Sequence, residues 1–188
     1  MIKAIIFDCF GVLTSDKWKK FVSTLPDNLR KPAREANHAH DSGLISKAEF
    51  INQVQKLTGC NPKTLEAIVA GDDLVQNKEL LNYISQLKAE YKIGLLSNVA
   101  SNWIREELLT SDEQALFDDM VFSFETGMTK PDSRIFEMTA KRLNVKPNEC
   151  VFVDDVESYC IAAADTGMKA IVYKDFEQMK RELEKILS

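Results

Sequence analysis

The chain has 188 residues, of which 45% are hydrophobic and 28% charged, with 24 lysines and arginines against 29 aspartates and glutamates. This length fits one full domain with a small insertion and excludes an assembly of several domains. The composition is that of a globular protein and excludes general disorder, and the net charge of -5 gives no sign of the basic surface that a diffuse nucleic-acid binder needs.

Neither end of the chain nor its cysteines indicate a membrane or an oxidising compartment. A membrane-spanning helix needs about 20 consecutive apolar residues, and the apolar runs here are only about four residues long. Asp8 interrupts the N-terminal apolar run too early for a signal peptide. The four cysteines lie far apart and match neither a zinc site nor a disulfide framework. We therefore expect a cytoplasmic protein with reduced thiols and no membrane partner.

Five short apolar runs without alternation predict strands that are covered on both faces, as in a parallel sheet. They span residues 3–8, 92–97, 119–124, 150–154 and 169–173. Amphipathic helical patterns follow over residues 77–90, 132–143, 156–165 and 175–187. Alternation of strands and helices predicts an α/β fold, a Rossmann-like doubly wound parallel sheet.

The interval between the first two predicted strands contains helical patterns only. They cover residues 17–25, 28–40, 46–58 and 62–70, and the last ends at Gly71-Asp72-Asp73. Ser46 and Glu49 have the spacing of a capping box, which predicts a helix start. We therefore predict a small helical cap over residues 15–80, inserted after strand 1 of a core formed by residues 1–14 and 81–188.

Polar side chains follow the predicted strands where each strand ends. Asp8 follows the first strand, the pair Ser97-Asn98 the second, and the pair Asp154-Asp155 the fourth, while the loop after the third strand carries Lys130. Ligands of parallel sheets bind outside the carboxyl ends of the strands. We therefore expect these side chains to converge at one edge of the sheet.

The expected cluster has a definite chemistry. Asp8, Asp154 and Asp155 would repel one another unless a cation lay between them, and carboxylate oxygens suit Mg²⁺ that also contacts a substrate phosphate. Lys130 and the hydroxyl of Ser97 can bind phosphate oxygens. Asp8 is then free to attack phosphorus and form an aspartyl-phosphate. The pattern predicts magnesium-dependent phosphoryl transfer through Asp8 from a phosphorylated substrate.

Four segments in chain order resemble the four signature motifs of the haloacid dehalogenase-like (HAD) superfamily. They are residues 7–13, 95–98, 127–132 and 151–155, so the resemblance spans nearly the whole chain. A helical cap after strand 1 is similar to that of one HAD subgroup, and residues 127–136 resemble the bacterial sugar-phosphate phosphatases of this superfamily.

The resemblance implies a role for each motif residue. Asp8 would be the nucleophile, and Mg²⁺ would be held by Asp8, the backbone carbonyl of Phe10, Asp154 and Asp155.

The substrate phosphate would be bound by Ser97, Asn98 and Lys130. Lys130 would also neutralise the phosphoryl charge and orient Asp8, so that the implied catalytic set is Asp8, Ser97 and Lys130.

One position departs from the phosphatase pattern. HAD phosphatases have a second aspartate, the general acid and base, where this chain has Phe10. The proton must then come from a cap residue or water, or turnover is slow, because general acid–base help is typically worth about 10²–10⁴-fold. Two alternatives stay open: a metal-free 2-haloacid dehalogenase, and a weak or inactive member that binds a phospho-ligand or a partner. The pair Asp154-Asp155 favours the phosphatase, since dehalogenases of this superfamily work without metal.

Several cap side chains are expected to face solvent rather than substrate. They are His38 and His40 near the Gly43 turn and the lysines Lys17, Lys19 and Lys20. The sequence predicts no nucleic-acid partner and does not indicate an oligomeric state.

Overall fold

A computed structural model of the protein, which describes residues 1–70 and 74–188, contains one parallel sheet. Its strands are β1 (Ala4–Phe7), β2 (Lys92–Ser97), β3 (Asp119–Phe122), β4 (Cys150–Asp154) and β5 (Lys169–Val172), in the order β3-β2-β1-β4-β5. The five predicted strands and their parallel arrangement are confirmed.

The strand register brings the ends of three strands to the same level. Phe7, the last residue of β1, pairs with Leu95 of β2 and Val153 of β4. The chain therefore leaves β1 at Asp8 next to the last residues of β2 and β4, at the centre of the sheet.

Helices cover both faces of the sheet. Those outside the cap interval are α5 (Lys78–Leu87), α6 (Ser111–Gln114), α7 (Ser123–Thr126), α8 (Ser133–Arg142), α9 (Glu157–Asp165) and α10 (Phe176–Leu187). Successive side chains of a strand point to opposite faces, and in β1 Phe7 packs with α5 and α10 while Ile6 packs with α8 and α9. This confirms the doubly wound α/β fold. None of the helices in the described ranges is long and apolar enough to cross a membrane.

The interval after β1 forms four helices: α1 (Lys17–Thr24), α2 (Asp27–Asp41), α3 (Lys47–Thr58) and α4 (Pro62–Ala70). They pack on one another around Phe50, Val54 and Leu65. The predicted capping box is present, because the Ser46 hydroxyl and the Glu49 carboxylate each accept the other residue's backbone N–H. The predicted break at Gly71-Asp72-Asp73 lies outside the described residues. The division into a cap of residues 15–80 and a core of residues 1–14 and 81–188 stays a prediction.

Two short regions differ from the sequence-based expectation. Strand β3 ends at Phe122 rather than at residue 124, because Ser123 begins helix α7, which Gly127 closes with a φ of +65°. Between β2 and β3 the chain forms a π-helix over Ile104–Leu108 and the single turn of α6. Elements of four or five residues are too short to show a hydrophobic period.

A substitution in the aromatic pair formed by Phe136 of α8 and Phe152 of β4 tests how α8 packs on the sheet. The two rings are fully buried, with centroids 5.2 Å apart. Phe136→Ala should lower the free energy of unfolding by about 3–5 kcal/mol, because the cavity adds to the lost transfer energy. Urea denaturation measures the loss. Phe124→Ala, at a ring that is 36% exposed, is the control, and equal losses in the two variants would contradict the assignment of Phe136 to the core.

Candidate active site

The ammonium group of Lys130 lies between two carboxylates at the carboxyl edge of the sheet. Lys130 Nζ is 2.7 Å from Asp8 Oδ1 and 2.6 Å from Asp154 Oδ2. It also donates to the carbonyl of Leu96 at 3.3 Å. All three charged side chains are buried, so the pairs are held away from solvent. Three charged residues from a stretch of 147 residues, positions 8 to 154, thus meet in one cluster.

The charges of this cluster are not fully balanced. Burial lowers the pKa of Lys130, but the carboxylates of Asp154 and Asp8 outweigh burial and raise this pKa above its usual value. Burial and the Asp154 charge raise the pKa of Asp8, and Lys130 offsets only part of that rise. One ammonium therefore does not fully compensate two buried carboxylates, and a second cation would stabilise their ionised forms.

A third carboxylate completes a set of oxygen ligands. Asp8, Asp154 and Asp155 each offer an oxygen atom, and these atoms lie within 4.8 Å of one another. The loop after β1 approaches Asp155 closely because residue 11 is glycine, with a φ of +88°. A Cβ at Gly11 would lie 2.5 Å from Asp155 Cγ. Three carboxylates in such a cluster suit a hard divalent cation.

Helix α1 contributes a cation to the same cluster. Lys19 Nζ forms an ion pair with the Asp155 carboxylate and donates to the Asp155 carbonyl at 3.3 Å. Lys19 thus contacts the site although its side chain is 53% exposed.

Ser97 and Asn98 serve different purposes. The hydroxyl of Ser97, the last residue of β2, is buried and has no hydrogen-bond partner among the described residues. A buried hydroxyl without a partner is costly, so this group is available to a ligand. Asn98 accepts from the Lys130 N–H at 2.9 Å and donates to the Lys130 carbonyl at 3.0 Å. Asn98 therefore fixes the backbone of Lys130, a contact that the sequence did not predict.

Phe10 brings no polar side chain to the cluster. Its ring stacks on Trp103 with centroids 6.3 Å apart and packs against the core. The use of its backbone carbonyl as a metal ligand stays a prediction, as do the catalytic and phosphate-binding roles of Asp8, Ser97, Asn98 and Lys130.

Comparison with known proteins identifies the family. A model described as haloacid dehalogenase-like hydrolase matches residues 2–167. The chain belongs to this family. The expected membership and the hydrolase class are confirmed.

Two curated relatives and one solved structure illustrate the likeness. D-ribitol-5-phosphate phosphatase of Bacteroides thetaiotaomicron is 27% identical over the full length of both chains. Bifunctional epoxide hydrolase 2 of Mus musculus is 35% identical over 94% of this chain. A HAD family enzyme from Bacteroides thetaiotaomicron has the same fold, with a TM-score of 0.73, 23% identity and coverage of 97% of this chain and 98% of that chain.

The lengths of these relatives differ widely. The chain spans 29% of the mouse epoxide hydrolase 2 and 17% of the Sus scrofa protein of the same name. The Bacteroides HAD enzyme has also been solved in complex with magnesium and inorganic phosphate.

In this HAD hydrolase the end of helix α2 is packed against the core, which the sequence did not predict. The expectation that His40 faces solvent is wrong, because its ring packs on Phe50 of helix α3 and the residue is only 9% exposed. His38 reaches the core, with Nε2 3.4 Å from Oγ1 of Thr129, the residue before Lys130. His38 is nevertheless exposed, as expected. Its contact joins residues 91 positions apart, and no local pattern marks it.

Asp41, the last residue of α2, has an unusual carboxyl group. Burial raises its pKa to about 7, with a further rise from the charge of Asp16. A hydrogen bond from Asn37 and the charge of Lys130 offset part of this shift. At neutral pH the protonated and ionised forms are therefore both populated.

Removal of the Lys130 ammonium tests the charge balance of the cluster. Lys130→Met should lower the free energy of unfolding by about 3–5 kcal/mol, because Asp8 and Asp154 stay buried without their cation. Urea denaturation at neutral pH measures the loss. Lys19→Met is the matched control, and since the side chain of Lys19 is 53% exposed, its pair with Asp155 should contribute less than about 1 kcal/mol. A small loss in both variants would contradict the buried ion-pair assignment.

The raised pKa of Asp41 predicts how stability changes with pH. The unfolded chain releases this proton near 3.8 and the folded protein near 7, so the folded state binds more protons between these values. The contribution of Asp41 to stability is therefore fully present below about pH 4 and is lost as the pH rises to about 7, by at most about 4 kcal/mol. Asp41→Asn should remove this part of the decline and raise the urea midpoint at pH 8 more than at pH 4. Glu35→Gln, at an exposed position of the same helix, should leave it in place.

Proposed function

We propose that this chain is a magnesium-dependent phosphatase that hydrolyses a small phosphomonoester, such as a sugar phosphate, through an aspartyl-phosphate on Asp8. The observation that carries the proposal is the buried Lys130 ammonium, which contacts Asp8 and Asp154 directly. An ammonium fixed beside a carboxylate nucleophile can hold the oxygens of a transferring phosphoryl group. The names of relatives such as the D-ribitol-5-phosphate phosphatase support this substrate class.

The metal would be held by Asp8, Asp154 and Asp155, together with the carbonyl of Phe10. The fit rests on three carboxylates with oxygens within 4.8 Å and on charges that Lys130 alone does not balance. When bound, Mg²⁺ would neutralise charge on the phosphoryl group and favour the ionised form of Asp8. The magnesium and phosphate complex of the Bacteroides HAD enzyme is consistent with this assignment.

The residues of the chain divide the reaction between them. A carboxylate oxygen of Asp8 attacks phosphorus, the bond from phosphorus to the leaving oxygen breaks, and the alcohol departs with a proton. Lys130 and the free hydroxyl of Ser97 bind the phosphoryl oxygens, and Asn98 positions Lys130 through its backbone. Water then hydrolyses the aspartyl-phosphate, which returns Asp8 and releases inorganic phosphate.

The predicted division of the chain fits this scheme. We propose that the core of residues 1–14 and 81–188 carries the chemistry and that the cap of residues 15–80 selects the substrate. The contacts of Lys19 with Asp155 and of His38 with Thr129 support a cap that reaches the site. A cytoplasmic location and the lack of a nucleic-acid partner remain predictions from the composition. If the chain is part of a longer protein, the proposed activity applies to this part alone.

Hydrolysis of p-nitrophenyl phosphate tests the proposal. The protein should release nitrophenolate in the presence of Mg²⁺ and lose this activity in EDTA. Asp8→Asn should reduce the rate to the level of buffer, because an amide cannot form the acyl phosphate. Asp112→Asn, at an exposed carboxylate of α6, is the control and should keep the wild-type rate. Intact-mass spectrometry of quenched reactions should detect phosphorylated wild-type protein and none in Asp8→Asn.

Two outcomes would refute the phosphatase assignment. Halide release from 2-haloacids without metal would identify the dehalogenase that the aromatic Phe10 leaves open. Tight binding of phosphate esters without turnover of either substrate class would identify a phospho-ligand-binding member.

A further inference from the structure

The proposed reaction moves a proton in two steps, and the residue at position 10 can neither donate nor accept it. The departing alkoxide must gain a proton, and the water that attacks the aspartyl-phosphate must lose one. Phe10 has its ring against Trp103 and offers no acid. Good leaving groups depart without such help, whereas alkyl alcohols depart slowly without it.

The C-terminal end of helix α2 brings a further carboxyl group, that of Asp41, near the carboxyl edge of the sheet. Ser123 Oγ, directly after β3, lies 2.8 Å from the backbone carbonyl of Asp41 and donates to it. One turn earlier, His38 contacts Thr129, whose neighbour is Lys130. The last turn of α2 is therefore attached both to the end of β3 and to the loop that carries Lys130.

Two of the titratable groups around Asp41, Lys130 and Tyr159, lie in or beside the cluster. Asp41 interacts electrostatically with Lys130 and with Asp16, which precedes α1. Its charge also acts on the hydroxyl of Tyr159 in α9, and the ring of Tyr159 lies 5.2 Å from Lys130 Nζ. On its own helix, His38 faces Thr129, and the ring of His40 packs on Phe50 in the cap. The Asp41 carboxyl thus lies close enough to Lys130 and Tyr159 for their charges to act on one another, and the contacts of its helix with Ser123 and Thr129 hold it there.

Among the described residues, the carboxyl group of Asp41 has one hydrogen bond, from Asn37 Nδ2 to Oδ2 at 2.7 Å. Asp16, the other carboxyl nearby, accepts the backbone N–H of Lys19 at 2.8 Å and so caps helix α1. Asp16 therefore has a structural role at its carboxylate, whereas, in the part of the chain that the structure describes, Asn37 engages only Oδ2 of Asp41.

We propose that Asp41 is the catalytic acid and base of this enzyme, in place of the aspartate that is absent at position 10. The proposal rests on the proposed phosphatase function. As Asp8 attacks phosphorus and the bond to the leaving oxygen breaks, protonated Asp41 gives its proton to that oxygen and the alcohol leaves. The Asp41 carboxylate then takes a proton from water as the water oxygen attacks the phosphorus of the aspartyl-phosphate and the bond from phosphorus to Asp8 breaks. Inorganic phosphate is released, Asp8 is a carboxylate again, and Asp41 is again protonated.

The acidity of Asp41 suits both steps. A group that gives and takes a proton works best when its pKa lies near the operating pH, and burial raises the pKa of Asp41 to about 7. The hydrogen bond from Asn37 lowers this pKa. A substitution of Asn37 therefore shifts the pKa of Asp41 and leaves the carboxyl group itself unchanged.

Comparison of two substrates of similar size tests the proposal: p-nitrophenyl phosphate, with a good leaving group, and benzyl phosphate, with an alkyl one. Asp41→Asn should lower kcat/KM for benzyl phosphate by about 10²–10⁴-fold and change that for p-nitrophenyl phosphate by less than about 10-fold, because nitrophenolate needs little protonation. Asp41→Glu should recover part of the benzyl phosphate activity. Circular dichroism and urea midpoints show that each variant is folded.

The pH dependence supplies a second readout. With benzyl phosphate, kcat/KM of the wild type should fall as the pH rises through the pKa of Asp41, because the acid must be protonated. This decline should be absent in Asp41→Asn. In Asn37→Ala it should move to higher pH, because loss of the hydrogen bond raises the pKa of Asp41.

Two matched variants serve as controls. Asp16→Asn removes the neighbouring charge and keeps the α1 cap, since asparagine caps helices as well as aspartate does. Glu35→Gln removes an exposed carboxylate of α2. Glu35→Gln should retain the wild-type ratio of the two substrates at every pH. Asp16→Asn should retain that ratio at low pH, where Asp41 is protonated, and should move the decline to lower pH, because loss of the Asp16 charge lowers the pKa of Asp41.

Three results would overturn the proposal. Equal losses on both substrates in Asp41→Asn would mean that Asp41 only positions the cap. A selective loss on benzyl phosphate in Asp16→Asn that persists at low pH would assign the proton transfer to Asp16. A wild-type protein without Asp8-dependent hydrolysis of p-nitrophenyl phosphate would refute the phosphatase function itself, a failure that is visible before any cap variant is made.

Discussion

The burial of one ammonium between two carboxylates is the interaction on which the rest of the site depends. Removal of an ion from water costs several kcal/mol even after relaxation, and only close, well-directed pairing offsets that cost. Lys130 meets this condition with contacts of 2.7 Å to Asp8 and 2.6 Å to Asp154. The sheet makes this possible, because β1 and β4 are adjacent and parallel and their ends meet at its centre. Asn98 then holds the Lys130 backbone from the end of β2.

The same interaction explains why the cluster is incomplete by itself. Asp155 adds a third carboxylate to the two that Lys130 contacts, and the exposed Lys19 compensates it only from the solvent side. A divalent cation and the oxygens of a phosphoryl group would complete this arrangement, since the cation offsets the acids while Lys130 and Ser97 meet the oxygens. The buried hydroxyl of Ser97, which has no hydrogen-bond partner within the described ranges, is available to such an oxygen.

In the proposed mechanism, helix α2 supplies the acid that position 10 lacks. Position 10 is occupied by an aromatic ring stacked on Trp103. Helix α2 instead brings Asp41 to the edge of the site, at a cost in stability near neutral pH, because a mostly buried carboxyl with a pKa of about 7 opposes its own ionisation. Natural proteins accept such losses at functional sites. The contacts of α2 with Ser123 and Thr129 would thereby make the proposed proton transfer depend on the position of α2.

The sequence by itself determined the sheet, because unbroken apolar runs mark buried strands and the parallel order fixes which ends share an edge. That reasoning led to Asp8, Ser97, Lys130, Asp154 and Asp155, each at or just after a strand or in the loop that follows one. The tertiary structure alone decided the contacts of Asn98 with Lys130, the burial of His40 and the position of Asp41 beside the site. These depend on contacts between residues far apart in the chain, such as Asp41 and Ser123, and contacts of that kind leave no periodic pattern in the sequence.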